Sequence, residues 1–192
     1  PGGGYWGRDH GNDNGIPPDG FQRTLHGSYP AGGKFDDRSY ASQKNGAGAG
    51  GAGVTPIMLS SWQHFMDAEV AGIGTAAGTT AVLAGIADSM SKVSGFAGSP
   101  SMAAESIDVA DYTAKFTAAW TAASTAEKGN MWAKQYWIAM WGNGTDAYNA
   151  YRRTGYPSDV QPNIEPQPGA FPLSMWYPNN YTARNSNATQ KS

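Results

Sequence analysis

Apolar residues recur three or four positions apart along most of the chain after residue 55, and this periodicity constrains the fold more than any other feature. Side chains at that spacing line one face of an α-helix. The first run predicts a helix that starts at Thr55 and Pro56. Its predicted apolar face comprises Met58, Trp62, Phe65, Met66, Val70 and Ile73.

Four further helices are predicted from the same pattern. The second is preceded by Thr79 and Thr80, ends near Gly95 and forms a helical hairpin with the first. The third begins at Ser106 or Asp108, since both residue types cap helices. The fourth covers about residues 124–141 and the fifth residues 145–153. Their predicted apolar faces, in order from the second helix to the fifth, are Val82, Leu83, Ile86, Met90 and Val93; Ile107, Val109, Tyr112, Phe116, Trp120 and Ala123; Met131, Tyr136, Trp137, Met140 and Trp141; and Ala147, Tyr148 and Tyr151.

Glycine and proline divide the chain into three segments. Residues 1–55 contain runs such as PGGG, NGIPPDG and NGAGAGGAG. These runs cannot sustain a helical period, so this segment is predicted to form loops on a core built elsewhere. Residues 56–155 form the predicted helical core, and the proline-rich residues 156–192 form an extended tail. Gly48, Gly50 and Gly53 match G-x-G-x-x-G, but without a preceding strand they indicate a linker.

Composition excludes several classes of function. The 192 residues are 40% hydrophobic, which is enough for a globular domain. A formal net charge of −2 with 15% charged residues leaves no excess of Lys and Arg for nucleic acid. Zero cysteines exclude disulfides and thiolate metal sites. The least charged run, residues 70–86, is rich in Gly, Ala and Thr and does not resemble a membrane span.

The stretch GRDHGNDNG, residues 7–15, concentrates polar side chains that hold metals or move protons: Asp9, His10, Asn12 and Asp13. The EF-hand spacing fails because Gly11 is at the third position from Asp9 and Gly20 at the twelfth. Asp and Asn beside Gly also form ordinary turns. The stretch is therefore predicted to be a turn-rich loop, with no cofactor required. A calcium site of other geometry at Asp9 and Asp13 stays open as an alternative.

Two kinds of ligand chemistry remain for the loop segment. Aromatic residues there do not follow a helical face, and rings beside polar groups suit flat apolar ligand faces and hydroxyl groups. A pair of carboxylates could instead hydrolyse glycosides. The aromatic residues are Tyr5, Trp6, Phe21, Tyr29, Phe35 and Tyr40, and the carboxylates are Asp9, Asp13, Asp19, Asp36 and Asp37.

The stretch AKQYWIAMWGNGTDAYNAYRRTGYP, residues 133–157, resembles the C-terminal hallmark of the SusD/RagB family. The matching positions are Gln135, Trp137, Ile138, Ala139, the turn from Gly142 to Gly144, and Tyr151 to Pro157. Residues 56–71, PIMLSSWQHFMDAEVA, are similar to a family helix that ends in AEAA. The pairs Phe171-Pro172 and Tyr177-Pro178 and the following asparagines also fit. Leu173 or Ser174 replaces a common basic residue, and Tyr181 replaces an acidic one.

The resemblance implies a mainly α, SusD-like helical fold with long loop-rich segments, of which this chain is the C-terminal part. Tetratricopeptide-like helices are expected in a missing N-terminal part. It implies a surface nutrient-binding subunit, not an enzyme, which delivers a glycan or an oligopeptide to a SusC-like TonB-dependent transporter in Bacteroidetes. The implied location is the cell-surface face of the outer membrane, with a lipidated N-terminus outside this sequence as the anchor.

Two sets of residues receive roles on this basis. The predicted ligand contacts are Tyr5, Trp6, His10, Asp13, Tyr29 and Tyr40. Arg152, Arg153, Gly155 and Pro157 are expected to be structural, because arginines at a helix end favour its dipole and Gly and Pro turn the chain. The glycoside hydrolase, and a structural lid subunit that faces its transporter, are the competing functions.

Overall fold

The computed structural model describes residues 11, 29, 54–95, 108–167, 169–172 and 174–190. Within these residues every regular element is a helix, so the mainly α prediction is confirmed. None of the helices there is both long and apolar enough to cross a membrane. The helices are α1 (Ser60–Ala71), α2 (Ala76–Ser94), α3 (Val109–Ala122), α4 (Thr125–Ala139), α5 (Gly144–Thr154) and α6 (Asn179–Arg184).

Local sequence sets where these helices begin and end. The side chains of Thr75, Asp108, Ser124 and Asn143 each accept a hydrogen bond from a backbone N–H in the first turn of the helix that follows. Such caps satisfy donors that have no partner inside the helix. Asp108 is thus one of the two caps predicted for the third helix, whereas Ser106 lies outside the described residues. The second helix starts earlier than predicted because Thr75 provides its cap.

The closest helix pair is α1 and α2, which pack through small residues. A Cβ atom on Gly85 would lie 2.9 Å from the Phe65 ring, and one on Gly78 would lie 2.2 Å from the Gly72 carbonyl oxygen. Ser61 and Ala68 are buried on the facing side of α1. The hairpin predicted from the sequence is present, and its backbones approach closely because these residues have small side chains.

Hydrogen-bonded indoles tie the other helices to this pair. Trp62 on α1 donates to the Ala139 carbonyl oxygen on α4 at 2.7 Å, and Trp132 on α4 donates back to the Phe65 carbonyl oxygen at 2.9 Å. Trp120 on α3 donates to Thr79 on α2 at 3.0 Å. All three tryptophans are buried in one core. A buried indole N–H without a partner would be costly, so these bonds fix how the helices are arranged.

Two predicted apolar faces were partly wrong. Met58 precedes α1 and is exposed, and Val70 is exposed although it was predicted to pack inward. The buried side of α1 is rotated toward Ser61 and Ala68, because close approach to α2 requires small residues there. The buried side of α4 includes Tyr136, as predicted, and Trp132, which the prediction omitted, while Trp141, which follows the helix, is half-exposed. The tail also contains α6, a short helix that was not predicted.

Candidate functional site

Most of the predicted ligand contacts cannot be placed. Tyr5, Trp6, His10, Asp13 and Tyr40 lie outside the described residues, and so does Asp9. The calcium alternative at Asp9 and Asp13 therefore stays a prediction. In the described part of the chain, no group of three or more His, Asp or Glu residues is arranged to hold a metal ion. Tyr29 is the predicted contact whose position is known.

Tyr29 packs at one end of the helical core. Its side chain is 8% exposed, and its carbonyl oxygen accepts a 2.7 Å hydrogen bond from the Val54 N–H. The Tyr29 Cβ lies 3.9 Å from the position that a Cβ on Gly142 would occupy, and Pro56 packs against the same glycine at 3.2 Å. Gly142 has a φ of +91°, in the region that favours glycine. The turn after α4 therefore forms part of the surface on which Tyr29 packs.

The hydroxyl group of Tyr29 is buried, and no described residue forms a hydrogen bond with it. Burial raises the pKa of this phenol, and the negative charge of Asp88 on α2 raises the pKa further. The Asp88 carboxylate itself accepts a 2.5 Å hydrogen bond from Ser60. A neutral hydroxyl without a partner retains the capacity to donate one hydrogen bond and to accept another. Among the predicted contacts, the Tyr29 hydroxyl is thus the group whose hydrogen-bonding capacity can be described.

The polar stretch GRDHGNDNG contacts the tail at its described residue. Gly11 has a φ of +81° and lies against Asn163, where a Cβ atom would come within 1.8 Å of the amide oxygen. That oxygen also accepts a 2.8 Å hydrogen bond from the Glu165 N–H. No side chain other than hydrogen fits at position 11 without displacing Asn163. The positions of Gly11 and Asn163 therefore constrain each other.

The arginines of the RRTGYP motif contact neighbouring groups of the helical core. Arg153 donates from Nη1 to Glu69 Oε1 on α1 and from Nη2 to Oε2, the latter at 2.8 Å. The Arg152 guanidinium carbon lies 5.7 Å from the centre of the Tyr148 ring. Gly155 ends α5 with a φ of +72°, and its N–H donates to the Tyr151 carbonyl oxygen at 2.7 Å. These contacts are of the kind that a structural role requires.

The residues after the motif attach the chain to α4. Pro157 is buried, and the Ser158 N–H donates to the Asn130 amide oxygen at 2.7 Å. Lys134 forms an ion pair with Asp159 and, mainly through their hydrogen bond, holds the pKa of that carboxyl below its ordinary value. Gly129 leaves room for the Tyr156 ring, which would approach a Cβ there to 3.3 Å. The tail therefore begins on a fixed surface.

The tail tip, residues 174–178, presents large apolar side chains to solvent. Trp176 is 75% exposed and Met175 is 68% exposed. The segment is held by Gln190, which accepts from the Tyr177 N–H at 2.9 Å and donates to the Tyr177 carbonyl oxygen at 3.0 Å. Sequence reasoning missed this surface because it treated residues 156–192 as a uniform extended tail. The signal that could have indicated an exposed apolar surface was a Trp between Met and Tyr in a stretch without helical periodicity.

One comparison with known proteins gave a match. The family model described as SusD-like, "Susd and RagB outer membrane lipoprotein", matches residues 76–192. The match covers more than half of the chain and includes α2, the RRTGYP motif and the tail tip. It does not extend to the loop segment in which the ligand contacts were predicted. No curated protein and no solved structure matches the chain.

Proposed function

The chain belongs to the SusD-like family of outer membrane lipoproteins, and on that premise we propose that it is a nutrient-binding subunit of a TonB-dependent uptake system. The family match over residues 76–192 is the observation that carries the proposal. The subunit binds its nutrient at the cell-surface face of the outer membrane and delivers it to a SusC-like transporter. It performs no chemistry on that nutrient.

The proposed ligand is a glycan, with an oligopeptide as the alternative. Tyrosine and tryptophan rings pack on the apolar faces of sugar rings, and polar side chains bond the hydroxyl groups. The loop segment supplies such residues in Tyr5, Trp6, His10, Asp13 and Tyr40. Tyr29 belongs to the same predicted set, and its ring is buried beside the turn at Gly142.

Calorimetric titration with oligosaccharides tests the ligand proposal. Trp6→Ala removes a proposed stacking ring, and we expect it to weaken glycan binding at least tenfold. Trp176→Ala is the matched control, because it removes an indole from the tail tip and should leave affinity unchanged. Unchanged affinity in both Trp6→Ala and Tyr29→Phe would overturn the assignment of these residues to the site. Tight binding of oligopeptides alone would select the alternative ligand.

We further propose that the tail tip contacts the transporter. Met and Trp are enriched in protein interfaces, and exposed side chains on a segment that is already held lose little entropy on binding. The expected result is that Trp176→Ala reduces co-purification of the transporter, whereas Trp6→Ala does not. Equal recovery of the transporter with both variants would contradict this assignment.

The competing hydrolase is tested with the same sugars. That function depended on Asp9, Asp13, Asp19, Asp36 and Asp37, which lie outside the described residues. A binding subunit returns each oligosaccharide intact after prolonged incubation, as chromatography would show. Hydrolysis products that form with the unaltered protein, but not with Asp9→Asn or Asp13→Asn, would instead establish a glycoside hydrolase.

A further inference from the structure

A groove of about 540 Å³ lies where the end of α3, the start of α4 and the segment after the RRTGYP motif meet. Its floor is formed by small side chains, among them Ala119, Ala122 and Ala126. Tyr156 lines the groove as its aromatic residue. Tyr29, the predicted ligand contact with a described position, is not among its lining residues.

The polar groups at the groove keep unused hydrogen-bonding capacity. Glu127 Oε2 accepts two hydrogen bonds from Ser124, at 2.6 and 2.7 Å, and no group of the described residues donates to Oε1. Asn130 uses its amide oxygen for the Ser158 N–H, and its amide nitrogen has no hydrogen bond in the described part of the chain. A carboxylate oxygen and an amide N–H₂ therefore border one groove as acceptor and donor.

This combination favours a neutral, hydroxyl-rich ring. Binding sites for small ligands have mostly apolar walls with a few polar groups that fix orientation. The alanine floor and the Tyr156 ring suit the C–H face of a sugar, while Glu127 and Asn130 suit neighbouring hydroxyl groups. The Glu127 carboxylate disfavours anionic ligands, because hydrogen bonds from Ser124 hold its pKa below the ordinary value and keep it charged.

We propose that this groove is a second sugar-binding site, which holds another ring of the same glycan or a separate chain. The inference rests on the proposed function, since it assumes that the protein binds glycans. It assigns ligand contacts to Glu127, Asn130 and Tyr156. Two modest sites on one subunit raise the effective concentration of a long glycan at the transporter.

Substitutions at exposed alanines test the groove without disturbing the core. Ala122→Trp fills the groove, whereas Ala114→Trp places the same ring at an exposed position of α3 outside it. Asn130→Asp is a second variant, because it keeps the acceptor for the Ser158 N–H but removes the amide donor. Each variant of the full chain is titrated with maltotriose, cellotriose, mannotriose and xylotriose, and with the tripeptide Ala-Lys-Ala.

The expected result is two binding events in the unaltered protein. Ala122→Trp should abolish one of them, Asn130→Asp should weaken it at least tenfold, and Ala114→Trp should change neither. If Ala122→Trp binds as Ala114→Trp does, the second site is overturned while the proposed function stands. Binding of Ala-Lys-Ala alone at the groove overturns the sugar assignment. If the unaltered protein binds none of the sugars, the glycan proposal fails together with this inference.

Discussion

Tyr29 shows at the level of one residue how burial and ligand binding can compete. Its hydroxyl group is buried and has no hydrogen-bond partner among the described residues, and an unsatisfied buried polar group costs roughly 1–3 kcal/mol. The ring, in contrast, fills space beside the turn at Gly142. The hydroxyl therefore lowers stability in the free protein, and a function in ligand binding would offset that loss.

Tyr29→Phe should leave the free energy of unfolding unchanged or raise it by about 1 kcal/mol, since it removes only the unsatisfied group. Urea denaturation measures this change. Tyr29→Ala serves as the contrast and should lower stability, because it also removes the buried ring. A loss of stability in Tyr29→Phe would mean that the hydroxyl has a partner.

Arg153 and Glu69 provide a second test at this scale. Their contact uses both terminal nitrogens of the guanidinium group, but more than half of the Arg153 side chain is exposed. Water weakens such pairs, and exposed ion pairs contribute about 0.2–1 kcal/mol. A double-mutant cycle with Arg153→Gln and Glu69→Gln should give a coupling energy in that range and lose it at high salt. A coupling energy near zero at low salt would contradict a structural role for Arg153.

At the scale of elements, the α1–α2 contact depends on the absence of side chains. We expect Gly78→Ala to lower the free energy of unfolding by about 1–3 kcal/mol, because its Cβ would overlap the Gly72 carbonyl oxygen and the backbone must move. Gly144→Ala is the matched control, since nothing lies within 4 Å of its Cβ. It should be neutral or stabilise by up to about 1 kcal/mol. Similar losses in both variants, measured by thermal denaturation, would contradict the close contact.

The start of α4 makes stability depend on pH. Hydrogen bonds from Ser124 lower the pKa of Glu127 from its ordinary value of 4.5 in the folded protein. A carboxyl with a lowered folded pKa stabilises the fold above its unfolded pKa, and the contribution is lost as the pH falls through the folded pKa. Urea midpoints between pH 7 and pH 3 should therefore fall less steeply for Glu127→Gln than for the unaltered protein.

Asp67→Asn is the control for this titration. The Asp67 side chain is exposed and makes no hydrogen bond within the described residues, so Asp67→Asn removes one carboxyl group without removing such a contact. Glu127→Gln retains an oxygen that can cap the helix, so its stability at pH 7 should change little. Equal slopes for the two variants would show that Glu127 does not contribute to the acid sensitivity.

The elements themselves were largely predictable, but their orientation was not. Spacing and capping residues identified α1 to α5, because both act within a few residues along the chain. Which side of α1 is buried depended on glycines that approach it from α2, and the choice of Trp132 over Trp141 depended on its partner on α1. Periodicity contains no information about such partners. The short helix α6 lacks the length needed for a periodic signal.

At the scale of the whole molecule, the buried indoles connect distant parts of the chain. Trp62→Phe removes the N–H that satisfies the Ala139 carbonyl oxygen and leaves a cavity between α1 and α4. We expect a loss of about 2–4 kcal/mol in the free energy of unfolding. Trp176→Phe, at an exposed position, should change it by less than about 0.5 kcal/mol. Equal effects in denaturant titrations would contradict the assignment of Trp62 to the core.

The candidate site was less predictable than the fold, for a physical reason. A ligand site requires side chains from different segments to converge, and glycine-rich loops have no periodicity that fixes where they go. The sequence identified aromatic and polar candidates, of which Tyr29 has a described position. It did not identify the groove beside Tyr156, because Glu127, Asn130 and Tyr156 meet only after α4 and the motif have packed together.

The contrast between buried and exposed tryptophans also makes the protein its own optical reporter. Trp62, Trp120 and Trp132 are shielded from water, whereas Trp176 is open to it and Trp141 is half-exposed. The ultraviolet emission of the three buried tryptophans should therefore peak at shorter wavelengths than that of Trp176. A small soluble quencher such as acrylamide should reach Trp176 before it reaches the buried indoles. A partner that covers the tail tip would protect the Trp176 share of the quenchable emission without a shift in the core emission. Docking could then be followed in solution, with no attached dye.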